Sequence, residues 1–323
     1  MASMMALRAR VRGGPEVLEI DTVERPLPAD AEVLVEVHAA AITFAELTWD
    51  ETWTRDGVDR TPVTPSHEFS GVVLARGANA AEHAVGDSVY GLVPFDRDGA
   101  AAQCVVAPVG SIARKPRTVS HAVAAAVALP ALTAWQALNH ARIGAGDRLL
   151  VLGGAGGVGA YVTQLAVARK AQVTATVLSA DIEHVRALGA VRVIDVTAEQ
   201  FDVEHGVFDA VIDTVGGSTL DRAYAVVRPG GRLVTLQAPP SAETAVELGI
   251  EAIFFVVTAD AAQLAQIADL IDDGHLRATI AATFPLADGR RAYESGSTLQ
   301  RPPGKTVLTV HPDAETEPVA SVS

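Results

Sequence analysis

Leu149–Leu165, LLVLGGAGGVGAYVTQL, is the stretch whose reading decides the fold. Leu149, Leu150, Val151 and Leu152 form a short apolar run of the kind a buried strand shows. Five glycines follow within seven residues, at 153, 154, 156, 157 and 159. The run from Tyr161 to Lys170 then holds good helix formers and no breaker. Gly154, Gly156 and Gly159 fit G-x-G-x-x-G at a strand-to-helix junction. In such a motif the first glycine permits a tight turn and the second lets a pyrophosphate approach the backbone. The third lets the helix pack close to the strand. The helix N-terminus offers free N–H groups and the positive end of its dipole to phosphates. A plain glycine-rich turn has the same composition, but the flanking strand and helix and the strands downstream favour a dinucleotide site.

From Asp147 onward strands and helices alternate. Arg148–Leu152, Gln172–Leu178, Val191–Val196, Phe208–Asp213 and Arg232–Gln237 read as strands. Ile182–Leu188 reads as a helix ended by Gly189, and Gln263–Asp272 as one stopped by Gly274. This alternation implies a doubly wound parallel sheet. Residues 6–115 read as mostly β. Val33, Val35 and Val37 alternate with Glu32, Glu36 and His38, the period of a half-buried strand. Further short apolar runs, separated by Gly, Pro and Asp, point to a small barrel or sandwich. The texture changes near Pro116, after which Ser120–His140 is alanine-rich and helical with Ser120 as N-cap. Thr306–Val310 is a last strand placed to rejoin the first domain. The expected organisation is an α/β chain. A β domain would span 1–117 and 261–313, a dinucleotide-binding domain 118–260, and a disordered tail 314–323.

The 323 residues suit two domains, and 49% hydrophobic residues supply their cores. A net charge of −14 argues against a general nucleic-acid binder. The single Cys104 excludes an intrachain disulfide and any multi-cysteine metal site. The N-terminal MASMMALRAR lacks the apolar core of a signal peptide. The apolar run Ala122 to Trp135 is short for a membrane span and is interrupted by Pro130. A cytoplasmic protein is the expectation.

Eight segments in order carry a resemblance: GGPEVLE at 13–19, EVLVEVHAAAI at 32–42, VGDSVYG at 85–91, LPALTAWQAL at 129–138, GGAGGVG at 153–159, DTVGG at 213–217, RPGGRLV at 228–234 and GKTVL at 304–308. The chain resembles the medium-chain dehydrogenase/reductases, and within them the zinc-independent quinone oxidoreductase (zeta-crystallin-like) branch. The resemblance implies a GroES-like β domain holding both chain ends, a Rossmann domain inserted in it, and a cofactor site in the cleft between them. It places Gly156, Gly157 and Val158 along the pyrophosphate and Thr133 beside the nicotinamide. Thr43 falls near the nicotinamide ribose, and Asp213, Thr214 and Val215 beside the adenosine half. Phe254, Phe255 and Val256 match a loop whose backbone meets the carboxamide, and Lys305 a basic or polar position near the phosphates. Bland readings stand beside these: Thr133 as a helix hydroxyl bonded to its own backbone, Phe254 and Phe255 as core.

Zinc enzymes of the superfamily need three protein ligands and an open position. Their first ligand falls at Thr43, and no Cys, His, Asp or Glu lies at 128–131 where the third would be. His67-Glu68 is retained from their second-ligand motif. The expectation is no metal. His67 is then either a proton donor or orienting group, or an ancestral residue satisfied by neighbouring backbone. The segment 46–61, with Trp49 and Trp53, either shapes an aromatic substrate pocket or is a packed surface loop. No acid ends the second strand before Asp181, which favours NADPH, with Ser179 available to its 2′-phosphate. The implied reaction is hydride transfer to a quinone or an α,β-unsaturated ketone, with Thr43 and His67 as candidate polarising groups. The alternatives are a reductase dedicated to one specialised metabolite and a non-catalytic NADPH-binding protein. A homodimer through Val246–Val257 is also implied.

Overall fold

The computed structural model describes residues 2–297 and 302–311; the tail read at 314–323 lies outside the described residues. In chain order come β1 (Ser3–Ala9), β2 (Leu18–Glu24), β3 (Glu32–Ile42), α1 (Asp50–Trp53), β4 (Thr54–Arg55), β5 (Val58–Asp59), β6 (Glu68–Arg76), β7 (Ser88–Leu92), β8 (Cys104–Pro108), β9 (Ile112–Arg114) and α2 (His121–Ala141). Then follow β10 (Arg148–Leu152), α3 (Gly159–Ala168), β11 (Gln172–Val177), α4 (Ile182–Ala187), β12 (Arg192–Asp195), β13 (Phe208–Asp213), α5 (Ser218–Ala223), β14 (Val227–Thr235), α6 (Ala242–Leu248) and β15 (Glu251–Phe254). The chain closes with α7 (Ala261–Asp272), β16 (Ile280–Pro285), α8 (Gly289–Glu294) and β17 (Lys305–Thr309).

Two compact units result. The first holds Met1–Leu129, Ala259–Asp272 and the chain from Ala278; the second holds Pro130–Thr258 and Asp273–Arg277. The divisions fall at 129/130, inside α2, and at 258/259, where the sequence reading put 117/118 and 260/261. The composition change near Pro116 marks where a helix is about to begin, not where the contacts change.

In the first unit a seven-stranded sheet runs β16-β17-β3-β6-β7-β9, with β8 also paired to β3. Strand β3 organises it. One edge meets β6 along its length, while the other is shared, β8 beside Glu32–Glu36 and β17 beside Ala39–Ile42. This explains its sequence. Val33, Val35 and Val37 are buried and alternate with half-exposed Glu32, Glu36 and His38. Ala39, Ala40, Ala41 and Ile42 are all buried because both faces are covered there. Ala39 and Ala41 pack on Ala125 and Ala126 of α2, and Ala40 and Ile42 enter the main core with Phe69 and Leu308. Burying a side chain the size of Phe69 is worth about 2–3 kcal/mol.

The second unit is a six-stranded parallel sheet in the order β12-β11-β10-β13-β14-β15. Its strands are continuous apolar runs because helices cover both faces. The chain reverses direction across the sheet between β10 and β13, the crevice where such sheets bind ligands. Helix α2 begins as expected, with Ser120 Oγ accepting the Val123 N–H at 3.3 Å. It runs on past Trp135 to Ala141, long and apolar enough to cross a membrane, with 83% of its apolar window buried in the fold.

Candidate functional site

In the second unit the glycine loop is held by Thr176 at the end of β11 and by one hydrogen bond of its own. The Gly153 N–H donates to Thr176 Oγ1 (3.0 Å), the Gly154 N–H to the Thr176 carbonyl (2.8 Å) and the Gly156 N–H to the Gly153 carbonyl (3.0 Å). Gly153 has φ +82°, which a side chain would strain. A Cβ on Gly159 would stand 2.1 Å from the Gly153 carbonyl oxygen, so the helix can approach the strand only with glycine there. The N–H groups of Gly157, Val158 and Gly159 take no backbone acceptor among the described residues. They form an anion-binding end on the ten-residue helix α3. These residues fit a pyrophosphate.

The strand end opposite the loop is built around Asp213. Its fully buried carboxylate accepts the N–H groups of Val215 and Gly216, both at 3.0 Å, and the Thr235 hydroxyl at 3.0 Å. The Thr214 hydroxyl donates to the Leu152 carbonyl (2.7 Å). Asp213 and Thr214 therefore shape the crevice, and Val215, 50% exposed, presents its surface. Ser179 is placed otherwise than its phosphate-binding reading requires. Its hydroxyl donates to Asp195 Oδ2 at 2.6 Å and lies 2.9 Å from Thr197 Oγ1. Hydrogen bonds from Ser179 and Thr197 hold Asp195 below the usual carboxylate range, so a 2′-phosphate on Ser179 would face a negative charge. The nearby cations are paired too, Arg186 with Glu183 and Arg192 with Glu199. Thr133 is buried in α2. Phe255 stacks on His140 (4.6 Å between centroids), while Phe254 and Val256 are exposed.

The first unit gathers Thr43, His67 and Lys305 with partners from distant parts of the chain. Lys305 at the start of β17 forms an ion pair with Glu68 and donates to Thr43 Oγ1 at 3.0 Å. Thr43 Oγ1 in turn donates to Glu68 Oε1 at 3.3 Å. Glu68 Oε2 accepts the Leu129 N–H at 3.3 Å, one residue before Pro130, which has no N–H of its own. The charge of Lys305 is thus balanced inside the unit rather than held free for a phosphate. Burial raises the Glu68 carboxyl, against the pull of Lys305.

Beside this network lies a second one. Glu46 is fully buried; its Oε1 accepts the Tyr293 hydroxyl at 2.5 Å and its Oε2 the Ser66 N–H at 2.9 Å. Burial, opposed by those two donors and by Lys305, pushes Glu46 up to about 7. His67 Nε2 stands 3.8 Å from Glu46 Oε2. His67 is 4% exposed, and neither ring nitrogen completes a hydrogen bond among the described residues. Burial, and next the charge of Arg60, lowers it to about 4. The imidazole is therefore neutral at neutral pH. A neutral ring still carries one N–H donor. The backbone at Pro94 and Val93 lies beside the ring and opposes the lowering by burial, as the ancestral reading supposed. Phe95 meets the His67 ring edge-on at 5.2 Å, and Trp49 meets Phe95 edge-on at 5.5 Å. Trp53 is buried core instead, its Nε1 donating to the Leu47 carbonyl. No local signal marks Tyr293 or Phe95, because each acquires its neighbours only by folding.

Residues 29–173 match the family model for the alcohol dehydrogenase GroES-like domain, and residues 188–308 that for zinc-binding dehydrogenases. A 2-methylene-furan-3-one reductase of Solanum lycopersicum is 31% identical, over 93% of this chain and 77% of its own. An NADPH-dependent alkenal/one oxidoreductase, chloroplastic, of Arabidopsis thaliana is 30% identical, over 87% and 72%. The chain belongs to the medium-chain dehydrogenase/reductases, in their quinone oxidoreductase branch. Among solved structures, the quinone oxidoreductase from Coxiella burnetii superposes with a TM-score of 0.87 at 27% identity, covering 96% of this chain and 100% of the other. This member of the family is an oxidoreductase that uses a nicotinamide dinucleotide, and its GroES-like and Rossmann folds are those the sequence resemblance implied. The zinc named in one family description is a separate matter. At the first-ligand position Thr43 is held by Lys305 and Glu68, and Ala128–Ala131 offers no donor side chain. Among the described residues no group of three or more His, Cys, Asp or Glu is arranged to hold a metal ion. These residues do not fit the zinc site of the alcohol dehydrogenases.

Proposed function

We propose that the protein transfers hydride from reduced nicotinamide dinucleotide to a quinone or α,β-unsaturated ketone without a metal. The observation that carries this reading is the Thr43–Glu68–Lys305 clamp standing where zinc relatives place their first ligand. Without a Lewis acid to polarise an isolated carbonyl, alcohol–aldehyde exchange is disfavoured. A conjugated acceptor disperses the arriving charge itself. The names of the tomato and Arabidopsis relatives, a 2-methylene-furan-3-one reductase and an alkenal/one oxidoreductase, agree with such acceptors.

When bound, the nicotinamide supplies the hydride. The chain's own contribution is placement, which can be worth several kcal/mol of barrier. The N–H groups of Gly157, Val158 and Gly159 anchor the pyrophosphate, and Asp213 and Thr214 hold the crevice wall. Thr43 is kept in one orientation by a donor and an acceptor. For the coenzyme we assign NADPH, because no acid ends the second strand and the Arabidopsis relative is named for it. Asp195 beside Ser179 opposes this choice and narrows the margin over NADH. We also propose a homodimer through the edge of β15, where Phe254 and Val256 are exposed; a monomeric mass in solution would contradict it.

The test is oxidation of NADPH and NADH by chelator-treated protein over quinones, enones and simple aldehydes. Quinone or enone turnover, equal with and without chelator, is the expected result. Activity confined to alcohols or aldehydes and lost with chelator would overturn the reading.

A further inference from the structure

A cavity of about 350 Å³ opens in the first unit, a volume within the range of small-molecule sites. It sits at the seam where the two-stranded sheet β1–β2 meets the segment leading into β8. There the Leu7 N–H donates to the Ala101 carbonyl (2.8 Å) and the Gln103 N–H to the Met5 carbonyl (2.9 Å), with Ala102 of the cavity lining between them. Part of the lining is apolar, made by Met4 of β1, Val23 of β2, and Val105 and Val106 of β8. The rest carries both signs of charge, Arg8 and Arg97 against Glu24 and Asp98. Asp98 is already engaged. Its Oδ1 accepts the Thr64 N–H at 2.9 Å, and Arg60 and Arg8 stand 3.5 and 3.9 Å from its carboxylate oxygens. Arg97 pairs with Glu32 through Nη1 alone, and its other guanidinium N–H groups take no acceptor among the described residues. The exposed Glu24 carboxylate makes no hydrogen bond or ion pair among them. One cationic donor and one anionic acceptor are therefore open on a lining that is otherwise apolar or paired.

An ion of either sign would bring one uncompensated charge to this balanced set, whereas a zwitterion brings both. Independently of the reductase reading, we propose that the cavity binds a free α-amino acid with an apolar side chain. Its carboxylate accepts from Arg97, its ammonium donates to Glu24, and its side chain lies on Met4, Val23, Val105 and Val106. The planar guanidinium can offer a carboxylate paired N–H groups, which makes this the more selective half of the contact. Such a ligand touches the two-stranded sheet and β8 at once. Binding therefore holds the seam between them closed, because only the closed seam presents both halves of the site.

The test uses the full chain without dinucleotide and L-leucine as probe, followed by the carbon-13 signals of the methionine methyls. The chain has three methionines, and Met4→Leu assigns the cavity signal. Leucine should move the Met4 signal more than that of exposed Met5, with half-saturation below about 1 mM. Acetyl-leucine and leucine amide each lack one of the two charges and should bind at least about tenfold more weakly, the loss of one charge-assisted hydrogen bond. Leucine itself should lose as much affinity for Arg97→Gln and for Glu24→Gln. Val106→Phe, which fills the cavity, should abolish the shift. If a variant does not fold, the two analogues on the wild-type protein decide the matter. An unmoved Met4 signal at about 10 mM leucine, or equal binding of leucine and both analogues, would overturn the proposal. Full binding by both Arg97→Gln and Val106→Phe would place leucine elsewhere and overturn it too. No readout involves NADPH oxidation, so the reductase reading stands or falls separately.

Discussion

Replacing Glu46 with glutamine should remove a pH dependence of stability that is built into the first unit. Burial raises this carboxyl from 4.5 to about 7. A carboxyl whose pKa is higher folded than unfolded binds its proton more tightly in the folded chain. Its contribution is therefore complete below pH 4.5 and is lost as the pH rises through about 7. The interval corresponds to about 3 kcal/mol, nearly all of it gone by neutral pH. Glutamine has the shape of the protonated acid and no charge to bury, its oxygen accepting the Ser66 N–H and its amide N–H donating to the Tyr293 oxygen. Glu46→Gln should match wild type near pH 4.5 and exceed it by up to about 3 kcal/mol near pH 8. His67 contributes with the opposite sign. Held at about 4, it stabilises fully above pH 6.5 and loses that contribution as the pH falls through about 4. That loss occurs in both proteins and cancels in their difference. Urea unfolding of both across this range, read by tryptophan fluorescence, measures the difference directly, because Trp49 and Trp53 lie in the first unit. A difference that stays the same from acid to alkaline pH, or a glutamine variant less stable near pH 8, would show that Glu46 is ionised throughout and refute the argument.

Gly159→Ala puts a Cβ 2.1 Å from the Gly153 carbonyl oxygen, so the loop must shift. Dinucleotide affinity in a fluorescence titration should fall by more than about tenfold, the loss of at least one charge-assisted phosphate contact. Lys305→Met leaves the buried Glu68 carboxyl without its cation and should cost about 3–5 kcal/mol in denaturant unfolding. Adding Glu68→Gln to Lys305→Met should recover most of that loss, and no recovery would mean the lysine acts elsewhere. Ser120→Ala removes the cap of α2 and should cost about 1 kcal/mol, read in the same unfolding assay.

Much of the fold is legible because its signals are local. The ends of β10 and β13 coincide with the sequence reading, and the helices α4 and α7 stop at Gly189 and Gly274, both with positive φ. Period-two alternation, apolar runs and left-handed glycines are set by neighbours along the chain. The glycine loop is legible for the same reason, since its three tasks fall within seven residues. Strand β14 shows where local reading stops. Its start at Val227 precedes the expected Arg232, across an irregularity opposite Phe208–Ala210 that only the pairing with β13 creates.

The sequence by itself determined the alternating architecture, the phosphate-binding turn and the absence of the zinc ligand types, because each depends on residue identity at fixed short spacings. The tertiary structure alone decided what the polar residues of the first unit do. Glu46 meets Tyr293 across 247 positions, and Thr43 meets Lys305 across 262. Burial then sets whether these groups are charged, which no spacing records. It is why His67 is a neutral imidazole, Lys305 an internal counter-ion and Ser179 the partner of a carboxylate.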